Sequence, residues 1–415
     1  MNIKLRAQSA GDRFFYACCF FVIAMPFSIS INNLSIFVLC IGWIFEKISS
    51  KEIKKTFLKG DLFCIAALFV VYLCSLAYTQ NLDDGWRRVE TKLGLIAFPF
   101  LLSNAVLNRN HANQILKVFL ISLVVISCAL LALAAFRYTN SHSRSEFFYH
   151  QLTSPLGLNA IYFAYYWCLA GFFLVLSRPF PTKMLFLLLM FSGVMIILLS
   201  ALAVSAFLVV FIACFGTWTV IKSSASFKLT FFYIAVLLTL GAFTYSFSGM
   251  KQKIDRINSM NYEMEFEDFK WNSITIRLAM WQCALPIIVE NFVLGSGIGD
   301  ENDQLQDSYR KHNFKEGIRC NYNVHNQYLS TSLSVGAIGL FTLLALLVLP
   351  LYSSIKNSDW LLFSFLVMIS FSFLSENVLS TQKGVAFFSF FYSLLLVTMP
   401  KQDSKISSRF FSKIL

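Results

Sequence analysis

Charge is what this sequence has least of. Only 13% of its 415 residues are Asp, Glu, Lys or Arg, 57% are hydrophobic, and the mean hydropathy is +0.64. Soluble domains are roughly 45–50% apolar and about 25% charged, so water cannot be the solvent for most of this chain. Zinc-ligand spacing is missing: there is no CxxC pair and no histidine pattern of that kind. No internal repeat is visible, so the inverted halves of many secondary transporters find no support. The alternation of apolar and polar residues over about ten-residue segments that marks an outer-membrane barrel is weak.

What is present is a series of apolar runs, each of roughly the length that crosses a 30 Å hydrocarbon core as a helix. Twelve are read, at about 14–30, 32–46, 62–79, 91–107, 114–136, 158–177, 183–199, 201–221, 229–247, 326–351, 359–376 and 384–400. The second and fourth are short. The expectation is an all-α, polytopic integral membrane protein of about 12 transmembrane helices. It divides into residues 1–247 with nine spans and short loops, one large periplasmic loop at 248–325, three spans in 326–400, and a basic cytoplasmic tail at 401–415. No cleavable signal peptide is expected, because the first apolar run leads directly into further spans.

Lysine and arginine set the orientation. The cluster Lys47, Lys51, Lys54, Lys55 and Lys59 and the tail "KQDSKISSRFFSKIL" place both termini in the cytoplasm. The formal charge of +12 then reflects topology and attraction to anionic membrane lipids, and nucleic acid is not an expected partner. Eight of the ten cysteines fall within spans, where a thiol acts as a small apolar group. Cys283 and Cys320 lie in the large loop, where a disulfide between them is open.

The spans hold almost no ionisable side chains, which disfavours an ion-coupled carrier. Polar chemistry concentrates in three external segments, 80–92, 137–155 and 248–325. The last is too long for an ordinary connection. Its stretch "NSITIRLAMWQCALPIIVEN" (272–291) reads as a helix in or dipping into the membrane interface, with a cap at Asn272 or Ser273 and a kink at Pro286. Arg277 and Trp281, four apart, share a face. "LGSGIGD" (294–300) lacks the strand and helix context of a phosphate cradle and reads as a tight turn packed on the membrane domain. The acidic run "EMEFEDF" (263–269) reads as a solvated or interfacial face rather than a metal site, and no metal is expected.

Taken together, "RLAMWQCALPIIVENFVLGSGIGD" and the following "YNVHNQYLSTSLSVGAIGL" resemble the O-antigen ligase and polymerase superfamily of bacterial membrane glycosyltransferases. The matching elements are Arg277, Trp281, Gly295, Gly297, Gly299, His325, Asn326, Leu329, Gly336 and Gly339. "GWRRVETKLGLIAFPF" (85–100) looks like an early segment of the ligase-like branch. One feature departs from the pattern. Relatives often carry serine and arginine at the start of a mid-chain helix, whereas "LLSALAVSAFLVV" (198–210) has Ser200 and Ser205 but no arginine; Arg87, Arg88, Lys92 or Arg144 is left to supply that charge.

The resemblance implies transfer of a glycan from undecaprenyl diphosphate to an acceptor hydroxyl of lipid A-core or another glycan, on the periplasmic side of the inner membrane, with no cofactor. Fixed guanidinium groups can stabilise a departing diphosphate, which points to Arg277. An acceptor hydroxyl needs a base, and imidazole, with an unperturbed pKa of about 6.5, suits that task, which points to His325. Arg87, Arg88, Lys92, Asn326 and Trp281 are the expected substrate contacts. Each has a plainer competitor: His325 can serve a loop or cap the next helix, and Arg277, Arg87 and Arg88 can be interfacial anchors. A repeat-unit polymerase and a flippase of lipid-linked saccharide are the rival functions.

Overall fold

The computed structural model describes residues 2–50, 60–222, 271 and 273–400. The expected span at 229–247, the acidic run at 263–269, the lysines at 51–59 and the tail from 401 lie outside the described residues, as does Asn272. Within them the chain is all helix: α1 (Asn2–Ala24), α2 (Ile29–Ser50), α3 (Asp61–Cys74), α4 (Leu82–Thr91), α5 (Gly94–Ser103), α6 (Arg109–Ser141), α7 (Tyr149–Thr153) and α8 (Ala160–Ser177). Then come α9 (Thr182–Leu199), α10 (Ala201–Lys222), α11 (Ser273–Glu290), α12 (Glu301–Lys311), α13 (Lys315–Cys320), α14 (Gln327–Lys356), α15 (Trp360–Ser372) and α16 (Gln382–Val397).

Five described helices are long and apolar enough to cross a membrane, within α2, α6, α8, α9 and α14, and five shorter apolar helices accompany them. Their starts are written in the sequence by capping side chains. Asn108, Asn159, Asn326, Asp359 and Thr381 each accept a hydrogen bond from a first-turn backbone N–H that no helical carbonyl can reach. α8 is apolar all round and almost wholly buried, as a helix at the centre of a bundle must be. α9 instead leaves Phe186, Leu187 and Ile197 exposed, the surface of a helix whose neighbour is lipid.

Two expected spans take a different form. The run at 91–107 is not one span: α4 ends at Thr91 and α5 is 10 residues long, about 15 Å of helix against a core of about 30 Å. Lys92 separates the polar α4 from the apolar α5. The run at 326–351 is helical but broken, with Val335 (φ −134°, ψ 17°) and Gly336 (φ 63°, ψ −159°) outside helical geometry.

A broken helix at membrane depth needs its freed backbone groups satisfied by protein, and the glycine-rich turn does this. Ser296 N–H donates to Leu333 O (2.7 Å), Gly297 N–H to Ser334 O (3.0 Å) and Ala337 N–H to Phe292 O (2.8 Å). The turn also docks on the loop before α4, where the Asp300 carboxylate accepts from Gln80 N (2.8 Å) and Asn81 N (2.7 Å). "LGSGIGD" is therefore a clasp between two parts of the helical body.

Phenylalanine supplies much of the interior. Phe21 meets Phe390 (4.7 Å between ring centroids), Phe119 meets Phe391 (5.0 Å) and Tyr166 meets Phe387 (4.8 Å), which ties α1, α6 and α8 to α16. Between membrane helices the gain comes from close packing and ring geometry, since lipid tails are as apolar as the side chains. A smaller cluster under the large loop packs Met280, Cys283 and Ile287 of α11 on Leu305 and Tyr309 of α12. Cys283 is buried there, Cys320 is exposed, and both are free thiols, so the disulfide left open by the sequence is not formed.

The loops fall at two ends, as alternating spans require. At one, Arg109 grips Asp359 with two bonds (2.7 and 3.0 Å), Lys47 reaches the Asn104 carbonyl, and Glu46 accepts from Val106 N at 2.9 Å. At the other, the segments 79–92, 296–303, 321–327 and 376–383 come together.

Candidate functional site

The second end holds a cluster that begins with His325. Its backbone is left-handed (φ 43°) and its N–H donates to Asn323 Oδ1 at 2.9 Å. Such a conformation is costly for a residue with a Cβ and persists only when its surroundings enforce it. They do so here: Trp281 Nε1 donates to Val324 O at 2.9 Å, and Asn326 caps α14 by accepting from Tyr328 N (3.0 Å) and Leu329 N (3.1 Å). Trp281 and Asn326, expected among the substrate contacts, thus hold the His325 loop from either side.

His325 Nδ1 lies 3.5 Å from Glu376 Oε2, and that buried nitrogen makes no hydrogen bond. Arg277 Nη2 stands 3.3 Å from the other oxygen of the same carboxylate and 3.3 Å from Ser375 O. The two expected catalytic residues, 48 positions apart, therefore meet on one acid. Glu376 was not anticipated. It sits at the end of an apolar run read as a span, and its only signal was to be a lone carboxylate in "FLSENVLS". Gln327 secures its loop: its N–H donates to Phe373 O (2.8 Å) and its side-chain oxygen accepts from Leu379 N (2.7 Å).

Tyr149, also missed, overlooks this cluster from the loop after α6. Its φ is 52° and the residue is 43% exposed. Burial first, then the charge of Glu376, raises its hydroxyl pKa, and Arg277 opposes them. The loop is braced at its base, where Arg137 binds Glu146 (3.3 Å), Ser154 Oγ and the Gln151 carbonyl. Arg144 lies exposed on this loop.

Beside the cluster opens a polar cleft of about 750 Å³. One wall is α4, with Asp83, Asp84, Arg87, Arg88 and Thr91, ending at Lys92. Facing it are Glu301, Asn302 and Asp303 at the start of α12, and Asn321, Asn323, Asn377 and Ser380 close the inner end. Asn323 and Asn377 connect cleft and cluster, the first through its bond to His325 and the second by adjoining Glu376.

The basic residues of α4 are not equivalent. Arg88 Nε donates to Asp84 Oδ2 (2.6 Å) and Nη1 to Glu301 Oε2 (2.9 Å), while Glu301 Oε1 accepts from Ser330 Oγ (2.6 Å). Two carboxylates neutralise Arg88 and tie α4, α12 and α14 together. Lys92 is buried, its ammonium 4.8 Å from the centre of the Tyr72 ring. Burial pushes it down to about 8, with Glu301 and Asp84 opposing and Arg88 adding to the fall. Arg87 is exposed and makes no ion pair among the described residues. None of the three reaches the Arg277–Glu376–His325 cluster by a direct bond. Among the described residues, no three His, Cys, Asp or Glu side chains gather so as to hold a metal ion.

The class of protein is now defined: a helical membrane protein with a charged cluster and a polar cleft at one end of its bundle. Residues 184–344 match the family model described as O-antigen ligase, which bears out the resemblance of the motifs inside that segment. An O-antigen ligase or polymerase type of membrane enzyme follows from that match, acting on a lipid-linked glycan and a glycan acceptor in general terms. The matched segment holds Arg277, the glycine clasp and His325; α4 and Glu376 lie outside it. No curated protein matches the chain.

Proposed function

We propose that this protein is a glycosyltransferase of the O-antigen ligase type, moving a glycan from undecaprenyl diphosphate to a hydroxyl of lipid A-core or a similar acceptor at the periplasmic face of the inner membrane. The observation that carries this reading is the meeting of Arg277 and His325 on Glu376. A carboxylate oxygen 3.5 Å from Nδ1 favours, through its charge, the imidazole tautomer with its proton on that nitrogen, leaving Nε2 as the base. His325 takes the acceptor proton as the acceptor oxygen bonds to the anomeric carbon. The bond from that carbon to the diphosphate oxygen breaks, and undecaprenyl diphosphate leaves with the electron pair. Arg277 supplies a planar cation with several donors for the charge that develops.

The apolar surface at the end of the helix that carries Arg277 supports a lipid-borne donor. The end of α11 and the residues after it expose Leu285, Val289, Phe292, Val293 and Leu294, which suits a segment seated in the membrane interface.

The deciding experiment is product size in a deletion strain complemented with this gene. Ligation requires chains of every length to accumulate on the carrier lipid without the gene and to appear on the acceptor with it. Accumulation of single repeats alone would make the enzyme a polymerase. Arg277→Lys keeps the charge but loses the planar fork, so it should still impair transfer; full activity would reduce Arg277 to an anchor. For sidedness, a cysteine at Asp303 in a cysteine-depleted protein should react with a membrane-impermeant maleimide from the periplasm, and cytoplasm-only labelling would overturn the mechanism.

A further inference from the structure

We infer that the cleft between α4 and the start of α12 is a saccharide-binding site selective for uncharged and amino sugars over acidic ones. This deepens the glycan-transfer reading and rests on it. The cleft has the size of a small-molecule site, about 750 Å³ within a usual range of roughly 300–1,000 Å³, and its lining is largely polar side chains.

Its charge speaks against a phosphate ligand. Arg88 is held by Asp84 and Glu301, and Lys92 lies buried against Tyr72. What remains is Arg87 and Asp83 on α4, with Asp303, one oxygen of which also accepts from Asn81 Nδ2 (2.9 Å), and the amides of Asn302, Asn321 and Asn323. Carboxylates accept two hydroxyl hydrogen bonds at once, and an amide both donates and accepts, so this mixture matches vicinal sugar hydroxyls. A ligand ammonium would gain from the carboxylates, and a ligand carboxylate or phosphate would be repelled by them.

An independent observation points to a ligand. Asn377 is only 5% exposed, lines the inner end of the cleft, and its side-chain oxygen has no hydrogen-bond partner. A buried acceptor of this kind is costly to leave unmatched, and a sugar hydroxyl in the cleft would match it. Asn377 follows Glu376 directly, so a saccharide bound there ends beside the Arg277–Glu376–His325 cluster. The sugar can belong to the acceptor or to the donor glycan; the recognition chemistry is the same.

The test uses the full-length protein in nanodiscs and saturation-transfer NMR with three probes: N,N′-diacetylchitobiose, the glucosamine disaccharide and digalacturonate. The first two should receive saturation and digalacturonate should not. An Asp83→Ala/Asp303→Ala double variant, both at exposed positions, should weaken the two binding probes by about tenfold or more, and Asn377→Ala should weaken them independently. His325→Ala should lower transfer by roughly two to four orders of magnitude while the probes still bind, so failure of the transfer reading and failure of this site show separately. In a transfer assay the double variant should raise KM for one substrate: the acceptor if its sugar fills the cleft, the donor if the donor glycan does. Saturation of no probe, equal saturation of digalacturonate, or binding unchanged in both variants overturns the proposal, as does an unchanged KM for both substrates.

Discussion

Gly295 and Gly336 meet backbone to backbone, each at positive φ (74° and 63°), and a Cβ built on Gly295 would lie 2.5 Å from the Gly336 nitrogen. A Cβ on Gly336 would run into the Val293 carbonyl. This contact lets the loop satisfy the break in α14, and through Asp300 it fixes where α4 sits. Gly295→Ala and Gly336→Ala should each cost at least the 1–3 kcal/mol of a strained backbone, with the steric clash added. Gly193, with open space around its Cβ position, is the control. Size-exclusion profiles of detergent-solubilised variants should show loss of the monodisperse peak for the first two and an intact peak for Gly193→Ala.

His325→Ala should lower turnover by roughly two to four orders of magnitude, the usual contribution of a general base. Glu376→Gln keeps the side-chain shape and removes the charge that orients the imidazole, so it should also reduce kcat. If the two residues act as a unit, the double variant will be no slower than His325→Ala alone. Additive losses in this cycle would show that Glu376 serves the fold and not the base.

At the opposite end, Asp359 has a fully buried side chain held by Arg109. Removing one partner of a buried pair strands the other charge, at a cost of about 3–5 kcal/mol. Arg109→Ala should therefore lower the apparent Tm sharply. Adding Asp359→Asn, which retains the capping oxygen for Leu362 N, should recover much of the loss. A double variant less stable than Arg109→Ala would contradict this account.

Lys92 yields a pH dependence with a definite sign. Its folded-state pKa is lowered from 10.5 to about 8, so folding penalises its charged form. The penalty is complete below pH 8, where both states bind the proton. It fades between pH 8 and 10.5, where the unfolded chain still binds it and the native chain does not, so stability from this group rises with pH across that window. Lys92→Met should remove the effect. The apparent Tm of the wild type relative to the variant should climb from pH 8 to 10.5, and a flat difference would show that Lys92 keeps its ordinary affinity for protons.

Apolar run length by itself determined that this protein is helical and built for a bilayer, because only a helix satisfies its own backbone over such a stretch. The motif residues likewise carried the resemblance that the match over residues 184–344 bears out. Arg277, Trp281 and His325 were legible because local spacing placed the first two on one helix face and the third at the mouth of a span. Hydropathy could not show that the run at 326–351 breaks at Gly336: a break is allowed or forbidden by what packs against it, here a turn some 40 residues earlier. Nor could spacing show that Trp281 braces the His325 loop, that Arg88 is neutralised by Glu301, or that Glu376 joins Arg277 to His325. Those relations link positions dozens to hundreds of residues apart, and in a chain so poor in charge each ion pair is chosen by which loops the bundle brings to the same end.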